Sequence, residues 1–114
     1  MPETIFGRII AGEIPADKLL ENEDLIAIRD INPQAPVHLL IIPKKNIVGV
    51  SDSSSEDTVL LGKLISAARE LAVQTGISSS GYRIVINNGE SAGQSVPHLH
   101  VHLLGGREFR WPPG

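Results

Sequence analysis

The sequence lacks cysteine altogether and has few aromatic residues. With no Cys among 114 residues, a disulfide framework, a thiolate metal site and a cysteine nucleophile are all excluded. Aromatic residues make up 4% of the chain, which argues against a broad platform for stacking bases. The chain has 10 basic and 13 acidic residues, a net charge of −3, so its surface is poorly suited to a nucleic acid polymer. A single nucleotide remains compatible with this charge.

Long hydrophobic runs are also missing. No stretch approaches the ~18 apolar residues that a membrane helix needs. The first eight residues carry an acid at Glu3 and do not resemble a secretory signal. A length of 114 residues fits one compact domain, and a hydrophobic fraction of 41% suits a folded globule. We therefore expect a single cytoplasmic domain, residues 1–114, with no membrane partner.

Hydrophobic periodicity predicts two helices. Apolar residues recur at helical spacing from Thr58 to Thr75, and Gly76 is a natural stop. The preceding Ser-rich and acidic segment, 51–57, is typical of a helix start because hydroxyls and carboxylates stabilise the helix N-terminus. A shorter helix is predicted from Thr4 to Ala11.

Five further segments have strand character, and two of them flank the turn-like residues 22–24 as a hairpin. They are Lys18–Glu21, Leu25–Arg29, Val37–Ile42, Tyr82–Asn87 and Pro97–Leu104. The order is one helix, three strands, a long helix and two strands. This order predicts an α+β fold with a five-stranded, mainly antiparallel sheet, although it does not fix the order of the strands.

Three of the four histidines fall within five residues, at His98, His100 and His102. Alternate residues of a strand face the same side, about 6.6–6.8 Å apart, so a strand here predicts a row of imidazoles on one face. The apolar residues between them would then bury against the long helix. Strict alternation makes a chance cluster of surface histidines the weaker interpretation.

Two chemistries suit such a row. Neutral imidazole is a common metal ligand, but a structural zinc site usually takes four ligands, often Cys, and an acid from elsewhere would have to complete it. Alternatively, one neutral imidazole attacks phosphorus while its neighbours bind oxyanions or transfer protons. The preceding Gly- and Ser-rich segment, 87–97, suits the second chemistry if its amides form an anion nest and Ser95 reaches a phosphate. The residues alone leave both chemistries open.

The run His98-Leu99-His100-Val101-His102-Leu103-Leu104 resembles the signature of the histidine triad superfamily. Its flanks resemble the Hint branch, the histidine triad nucleotide-binding proteins, over nearly the whole chain. The segments on which this resemblance rests are Thr4-Ile5-Phe6-Gly7, Asp30 to Pro36, Ile42-Pro43-Lys44-Lys45, Gly93-Gln94-Ser95, Leu104 to Arg107 and Trp111-Pro112-Pro113-Gly114. The dinucleoside polyphosphate hydrolase branch lacks this ending, and the uridylyltransferase branch has Gln in place of the third His.

This resemblance implies a purine nucleoside phosphoramidase that cleaves the P–N bond of adenosine 5′-phosphoramidate and of nucleotidyl-lysine adducts, without a metal or another cofactor. It implies that His100 is the nucleophile and that His98 and His102 contact the phosphate and assist proton transfer. His38 matches a fourth active-site histidine, and Ser95 matches a hydrogen-bond donor to the leaving group.

The implied substrate contacts fall into three groups. The carboxylate of Asp30 holds the ribose hydroxyls, apolar side chains contact the nucleoside, and loop residues border the phosphate. The apolar group is Ile5, Phe6, Ile9 and Ile31, and the loop group is Asn87, Gly93, Gln94 and Val96.

Without the resemblance, several of these residues have simpler interpretations. His38 lies in a very apolar segment and is typical of a hydrogen-bonded core histidine, and Asp30 suits a turn. Ile5, Phe6 and Ile9 have the spacing of core residues. The chain also departs from the family at Asn46, where many relatives carry His, and at Pro97, before which the last strand should not start.

The resemblance further implies a homodimer in which two five-stranded sheets form a continuous ten-stranded sheet. The tail, 105–114, then lies at the interface, and Trp111 influences substrate choice from across it. Two alternatives remain at this point. One is a nucleotide-binding dimer that acts in regulation with only vestigial catalysis, and the other is a His-based metal-binding domain.

Overall fold

The computed structural model describes residues 3–114. The two helices are α1 (Ile5–Ile10) and α2 (Thr58–Gln74). The five strands are β1 (Lys18–Glu21), β2 (Leu25–Arg29), β3 (Val37–Pro43), β4 (Tyr82–Val85) and β5 (Val101–Gly105). Short 3₁₀ turns occupy Val50–Asp52, Ser55–Asp57 and Glu90–Ala92. Within the described part of the chain, no helix is both long and apolar enough to cross a membrane.

All five strands form one antiparallel sheet in the order β1-β2-β3-β5-β4. The predicted α+β fold is therefore confirmed, and so is the hairpin of β1 and β2. Asn22 closes this hairpin because its side-chain oxygen accepts hydrogen bonds from the amides of Asp24 and Leu25, at 2.8 and 3.0 Å. The last strand along the chain, β5, lies between β3 and β4 and completes the centre of the sheet.

The two faces of the sheet bury different helices. On one face, α2 packs its apolar stripe over the centre of the sheet, and this cluster includes Leu99, Val101 and Leu103 as expected. On the other face, α1 is the cover, and a smaller cluster forms from Phe6, Ile9, Ile26, Ile28, Leu40 and Ile42. The strand side chains of each cluster alternate along β2 and β3, as the pleat requires.

Helix α2 begins where the Ser-rich segment predicts it. The hydroxyl of Ser54 accepts a hydrogen bond from the amide of Glu56, and the carboxylate of Asp57 accepts one from the amide of Ser54 at 2.9 Å. This capping box satisfies donors that the start of a helix leaves without partners. Asp57 is buried and also forms an ion pair with Lys45, so the segment anchors α2 to the end of β3.

The last strand is shorter than predicted. It starts at Val101 rather than Pro97, so His98 and His100 precede β5 and only His102 lies within it. Pro43 has no amide hydrogen with which to extend the ladder, and its carbonyl accepts a hydrogen bond from the side chain of His98 instead. The amide of Leu99 turns away to the carbonyl of Ile47, at 2.7 Å. The predicted strand Tyr82–Asn87 likewise ends at Val85.

Candidate active site

A cleft of about 480 Å³ opens on the sheet face that α1 covers. Starting at His102 on β5, it crosses Leu40 on β3 and Ile28 on β2 and ends at residues 14–17, before β1. Three spacings between neighbouring strands amount to about 14 Å, so the cleft suits an elongated ligand. Its lining is mainly apolar, and its polar side chains gather at the β5 end and at the end of β2.

His100 lies at the β5 end of this cleft, and its protonation pattern is set by the backbone. Its Nδ1 atom lies 2.8 Å from the carbonyl oxygen of His98, which can only accept a hydrogen bond. In the neutral ring the single proton therefore lies on Nδ1, and Nε2 keeps its lone pair. The ring of Phe6 meets that of His100 edge to face, with 5.0 Å between the ring centres. His100 is thus an oriented imidazole whose Nε2 atom has the lone pair that a nucleophile requires.

His102 has the opposite tautomer because of His38. The amide of Gln34 donates to Nδ1 of His38 at 3.0 Å, so the proton of neutral His38 lies on Nε2. That atom lies 2.9 Å from Nδ1 of His102 and 3.3 Å from a carboxylate oxygen of Asp30. His102 accepts this proton at Nδ1, which leaves its own N–H on Nε2. The cleft therefore holds one imidazole with a lone pair beside one that donates.

Burial keeps both rings of this pair neutral. Burial is the largest cause that lowers the pKa of His102, and the neighbouring His100 and His38 also lower it, against the opposing charge of Asp30, so that it lies at about 4. Burial also lowers the pKa of His38, while Asp30 acts in the other direction. At neutral pH each ring therefore carries one proton, as the tautomer assignment requires.

The contact of His98 with the phosphate stays a prediction, because its ring is buried beside the cleft. His98 is 2% exposed and does not line the cleft. Its Nε2 atom donates to the carbonyl of Pro43 at 2.9 Å, and its Nδ1 atom lies 3.3 Å from the hydroxyl of Thr4. Burial lowers its pKa, and so does His100, while the bond to Pro43 raises it. Both ring nitrogens are engaged within the protein.

Asp30, His38 and His102 bring one possible metal-ligand atom each within 4.8 Å of one another. The hydrogen bonding does not suit a metal, however. The amide of Gln34 points at Nδ1 of His38, so the Nε2 atom that faces the cluster carries a proton rather than a lone pair. Ligation would require that proton to move to Nδ1 and the bond from Gln34 to break. The donor set therefore fits a proton relay better than a metal centre.

The Gly- and Ser-rich loop is held together by its own groups. The amides of Ala92, Gly93 and Gln94 donate to carbonyls of Gly89 and Glu90, so the prediction that this loop offers an anion nest is wrong for these three amides. The side chain of Gln94 accepts from the amide of Gly89 and donates to the carbonyls of Val48 and Val96.

Through these three hydrogen bonds, the side chain of Gln94 supports the loop. Gly93 has a φ of 87° at the end of the 3₁₀ turn, a conformation that favours glycine. Asn87 follows β4 outside the lining of the cleft. Ser95 and Val96, by contrast, line the cleft beside His100.

The structure brings most of the other candidates into the same cleft. The lining includes Ile5, Phe6, Ile9, Asp30 and Ile31. Ile31 is 97% exposed at the mouth, which is unusual for a large apolar side chain unless a ligand or partner covers it. Trp111 does not line the cleft; it is 84% exposed on the tail.

Several groups that line the cleft or contact the histidines were not predicted from the sequence. Leu40 and Ile28 line the cleft at strand positions that face the same side as His102, so period-two alternation could have found them. The segment 14–17 also lines it, without any pattern that marks it. The amide of Gln34 and the hydroxyl of Thr4 orient two of the histidines, and no sequence signal reveals a contact across 94 residues such as that of Thr4 with His98.

The comparisons with known proteins agree on one family. The family model described as HIT domain matches residues 11–109. A HIT-like protein of Synechococcus elongatus is 51% identical over 112 residues, which cover 98% of this chain and 97% of that protein. A HIT-like protein of Synechocystis sp. is 52% identical over 112 residues, with the same coverage.

Solved structures agree in fold. A HIT family hydrolase from Legionella pneumophila superimposes with a TM-score of 0.96 at 48% identity, covering 98% of this chain and 100% of that one. A histidine triad nucleotide-binding protein from Candida albicans gives a TM-score of 0.82 at 31% identity, covering 98% of this chain and 85% of that one.

Proposed function

This chain belongs to the HIT family, and from that membership and the geometry of its imidazoles we propose that it hydrolyses the P–N bond of purine nucleoside 5′-phosphoramidates. The substrates are of the adenosine phosphoramidate or nucleotidyl-lysine type, and the product is the nucleoside monophosphate. The observation that carries the proposal is the pair of opposed tautomers in one cleft, with a lone pair on His100 and an N–H on His102.

The reaction follows from this pair. Nε2 of His100 attacks phosphorus, and the P–N bond breaks as the departing nitrogen takes up a proton from solvent and leaves as the amine, with the hydroxyl of Ser95 donating a hydrogen bond to that nitrogen. The later attack of water returns this proton to solvent. The N–H of His102 stabilises the charge that develops on the phosphate oxygens. Water then attacks the nucleotidyl-histidine, the bond from phosphorus to Nε2 breaks, and the monophosphate and neutral His100 are released. No metal takes part in either step.

The rest of the cleft matches a nucleoside. With the phosphate at His100, the apolar stretch over Leu40 and Ile28 lies where a base would pack against α1. Asp30 stands between the two ends, partly exposed, with one oxygen bonded to the amide of Asn32 and the other near His38. Its carboxylate is thus oriented to accept hydrogen bonds from ribose hydroxyls.

The test is mass spectrometry after rapid quenching with adenosine 5′-phosphoramidate, together with steady-state turnover. We expect a nucleotidyl adduct on His100, and we expect His100→Ala to lose turnover by at least about a thousand-fold, because a nucleophile cannot be replaced by its neighbours. Turnover should persist in the presence of a chelator.

Three results would contradict the proposal: near wild-type activity of His100→Ala, an adduct on another residue, or loss of activity on chelation. Binding of a purine monophosphate without any turnover would instead favour a nucleotide-binding protein with vestigial catalysis.

We also propose that the protein acts as a homodimer. Strand β4 is an edge of the sheet, and the side chain of Arg83 on this strand donates to the carbonyl of Arg110, at 3.0 Å. This bond holds the tail beside the edge, next to the exposed Trp111. A second copy pairing along β4 would cover both the open edge and this indole.

A further inference from the structure

We propose that Thr4 is a positioning residue for the reaction: its hydroxyl donates to Nδ1 of His98 and keeps that ring in the tautomer that the carbonyl of Pro43 requires, and His98 in turn holds the nucleophile His100. This inference rests on the proposed function for its kinetic consequence. The position of the proton on His98, and the contacts that fix it, do not depend on which substrate the protein takes.

The proton positions follow from what each partner can do. The carbonyl of Pro43 only accepts, so the proton of neutral His98 lies on Nε2, 2.9 Å away. Nδ1 of His98 must then accept, and the atom beside it at 3.3 Å is the hydroxyl oxygen of Thr4. Thr4 already accepts at this oxygen, from the amide of Gly7 at 3.0 Å. Its hydroxyl proton is therefore the one directed at His98.

The next contact reaches the nucleophile. The backbone carbonyl of His98 accepts the Nδ1 proton of His100, at 2.8 Å, and this bond places the lone pair of His100 on Nε2. The ring of His98 is held at both nitrogens, which fixes the position of the whole residue. Its backbone carbonyl, which sets the tautomer of His100, is fixed with it. Thr4 is thus linked to His100 by two hydrogen bonds, one to the ring of His98 and one from its backbone, and the second fixes Nδ1 of His100 and leaves Nε2 to react.

The same hydroxyl also fixes the helix that forms one wall of the cleft. Thr4 is the N-cap of α1, and Phe6, two residues on, meets the rings of both His98 and His100 edge to face, with centres 6.2 and 5.0 Å apart. Loss of the hydroxyl would therefore have two effects, a weaker cap and an unpaired buried nitrogen on His98. A test has to separate them.

The chemistry of residue 4 permits this separation. Thr4→Ser keeps a hydroxyl and should retain both contacts. Thr4→Asp keeps an acceptor for the amide of Gly7 and remains a good N-cap, but its carboxylate has no proton for His98 at neutral pH. Thr4→Val loses both contacts and has nearly the shape of threonine.

We expect Thr4→Ser to stay within about two-fold of wild type. We expect kcat to fall on the order of ten-fold in Thr4→Asp and Thr4→Val, because a His98 ring without a donor at Nδ1 no longer fixes the carbonyl that orients His100. KM should stay near wild type in Thr4→Asp, since its cap preserves α1 and the nucleoside wall. A purely structural role of Thr4 would instead leave Thr4→Asp as active as Thr4→Ser.

The second readout is the ¹⁵N NMR spectrum of the histidine side chains, recorded without substrate. Wild type and Thr4→Ser should show His98 protonated at Nε2 and bare at Nδ1, and Thr4→Asp should show a changed protonation state. Unchanged His98 signals together with unchanged kcat in Thr4→Asp would overturn the inference. If wild type fails to hydrolyse phosphoramidates, the proposed function fails, and the NMR comparison still decides whether Thr4 sets the His98 tautomer.

Discussion

His38, His98 and His102 are all held in their neutral form by burial, and their pKa values lie below the ordinary value of about 6.5. A neutral imidazole has one donor and one acceptor, so its partners decide which nitrogen serves which purpose. The partners here are a backbone amide, a backbone carbonyl, a hydroxyl and another imidazole. At the scale of single residues, the function proposed above therefore depends on where a few protons lie.

These lowered pKa values predict how stability changes with pH. Below about pH 6.5 the unfolded chain takes up protons on these histidines that the folded chain does not bind, so acid favours unfolding. The stabilisation is fully present above pH 6.5 and is lost as the pH falls towards about 4, the pKa of His102. We expect the free energy of unfolding, measured by urea denaturation, to fall steadily between pH 7 and pH 5.

The control for this prediction is His102→Asn, which removes the histidine whose pKa is lowered to about 4. Its stability should depend less on pH over the same range. The window ends at pH 5 because ion-paired carboxylates titrate below it: a hydrogen bond from Lys44 lowers the pKa of Glu21, and one from Lys45 lowers the pKa of Asp57. A pH-independent stability of the wild type from 7 to 5 would contradict the assignment of buried neutral histidines.

Some of these residue-level features could be predicted from sequence and others could not. Alternation placed Leu99 and Val101 in the core and His102 on the opposite face, because the pleat has a fixed period of two. The core character assigned to His38 agrees with its burial. The hydrogen bonds that select each tautomer join residues far apart in the chain, and no local pattern encodes such pairs.

At the scale of elements, the end of β5 is closely packed. Gly105 pairs with Val37 and Tyr82, and a Cβ atom added to it would lie 2.5 Å from the Cδ1 atom of Ile77. Ile77 is buried, in the segment that follows α2. The strand that carries His102 therefore ends at a position that only a residue without a side chain can occupy.

We expect Gly105→Ala to lower the free energy of unfolding by about 1–3 kcal/mol, because the added methyl group must displace buried Ile77. The matched control is Gly62→Ala, in the exposed middle of α2, where nothing lies within 4 Å of the added atom. This control should gain roughly 0.5–1 kcal/mol, since alanine favours the helix more than glycine. Urea denaturation midpoints measure both, and equal shifts of the two variants would disprove the packing argument.

The elements themselves were largely predictable. Strong periodicity and capping residues placed α2 between Thr58 and Gln74, within a residue of the prediction. The start of β5 was not predictable, because a strand needs a partner and the ladder with β3 stops near Pro43. An alternating sequence such as His98 to His102 shows which side chains share a face, but it does not show where a neighbouring strand ends.

At the scale of the whole molecule, the tail is anchored by two guanidinium groups that stack on one aromatic ring. The guanidinium groups of Arg83 and Arg107 lie 5.1 and 4.2 Å from the ring centre of Phe109, and Arg107 also donates to the carbonyl of Gln34. Gln34 is the residue whose amide orients His38. The tail is thus attached to its own chain up to Arg110, whose carbonyl accepts from Arg83, whereas Trp111 is left exposed.

Deletion of residues 111–114 should therefore change substrate selectivity more than stability. The exposed indole contributes little to the fold of its own chain, but in the proposed dimer it lies near the partner's cleft. We expect ratios of kcat/KM across phosphoramidates with different leaving amines to change, with a melting temperature close to that of wild type. Sedimentation of the intact protein as a monomer, or unchanged ratios after deletion, would contradict this role.

The position of β5 also has a consequence for the order of folding. Because this strand lies between β3 and β4, the centre of the sheet stays open until residues 101–105 have been synthesised. A nascent chain can form the β1–β2–β3 meander early, since these contacts are local, but β4 has no neighbour until β5 enters. Closure of the sheet and arrival of His102 beside His38 are therefore one event. On the ribosome, a partly made chain would expose a hydrophobic sheet fragment without the pair of His38 and His102, so the proposed chemistry would require the whole fold.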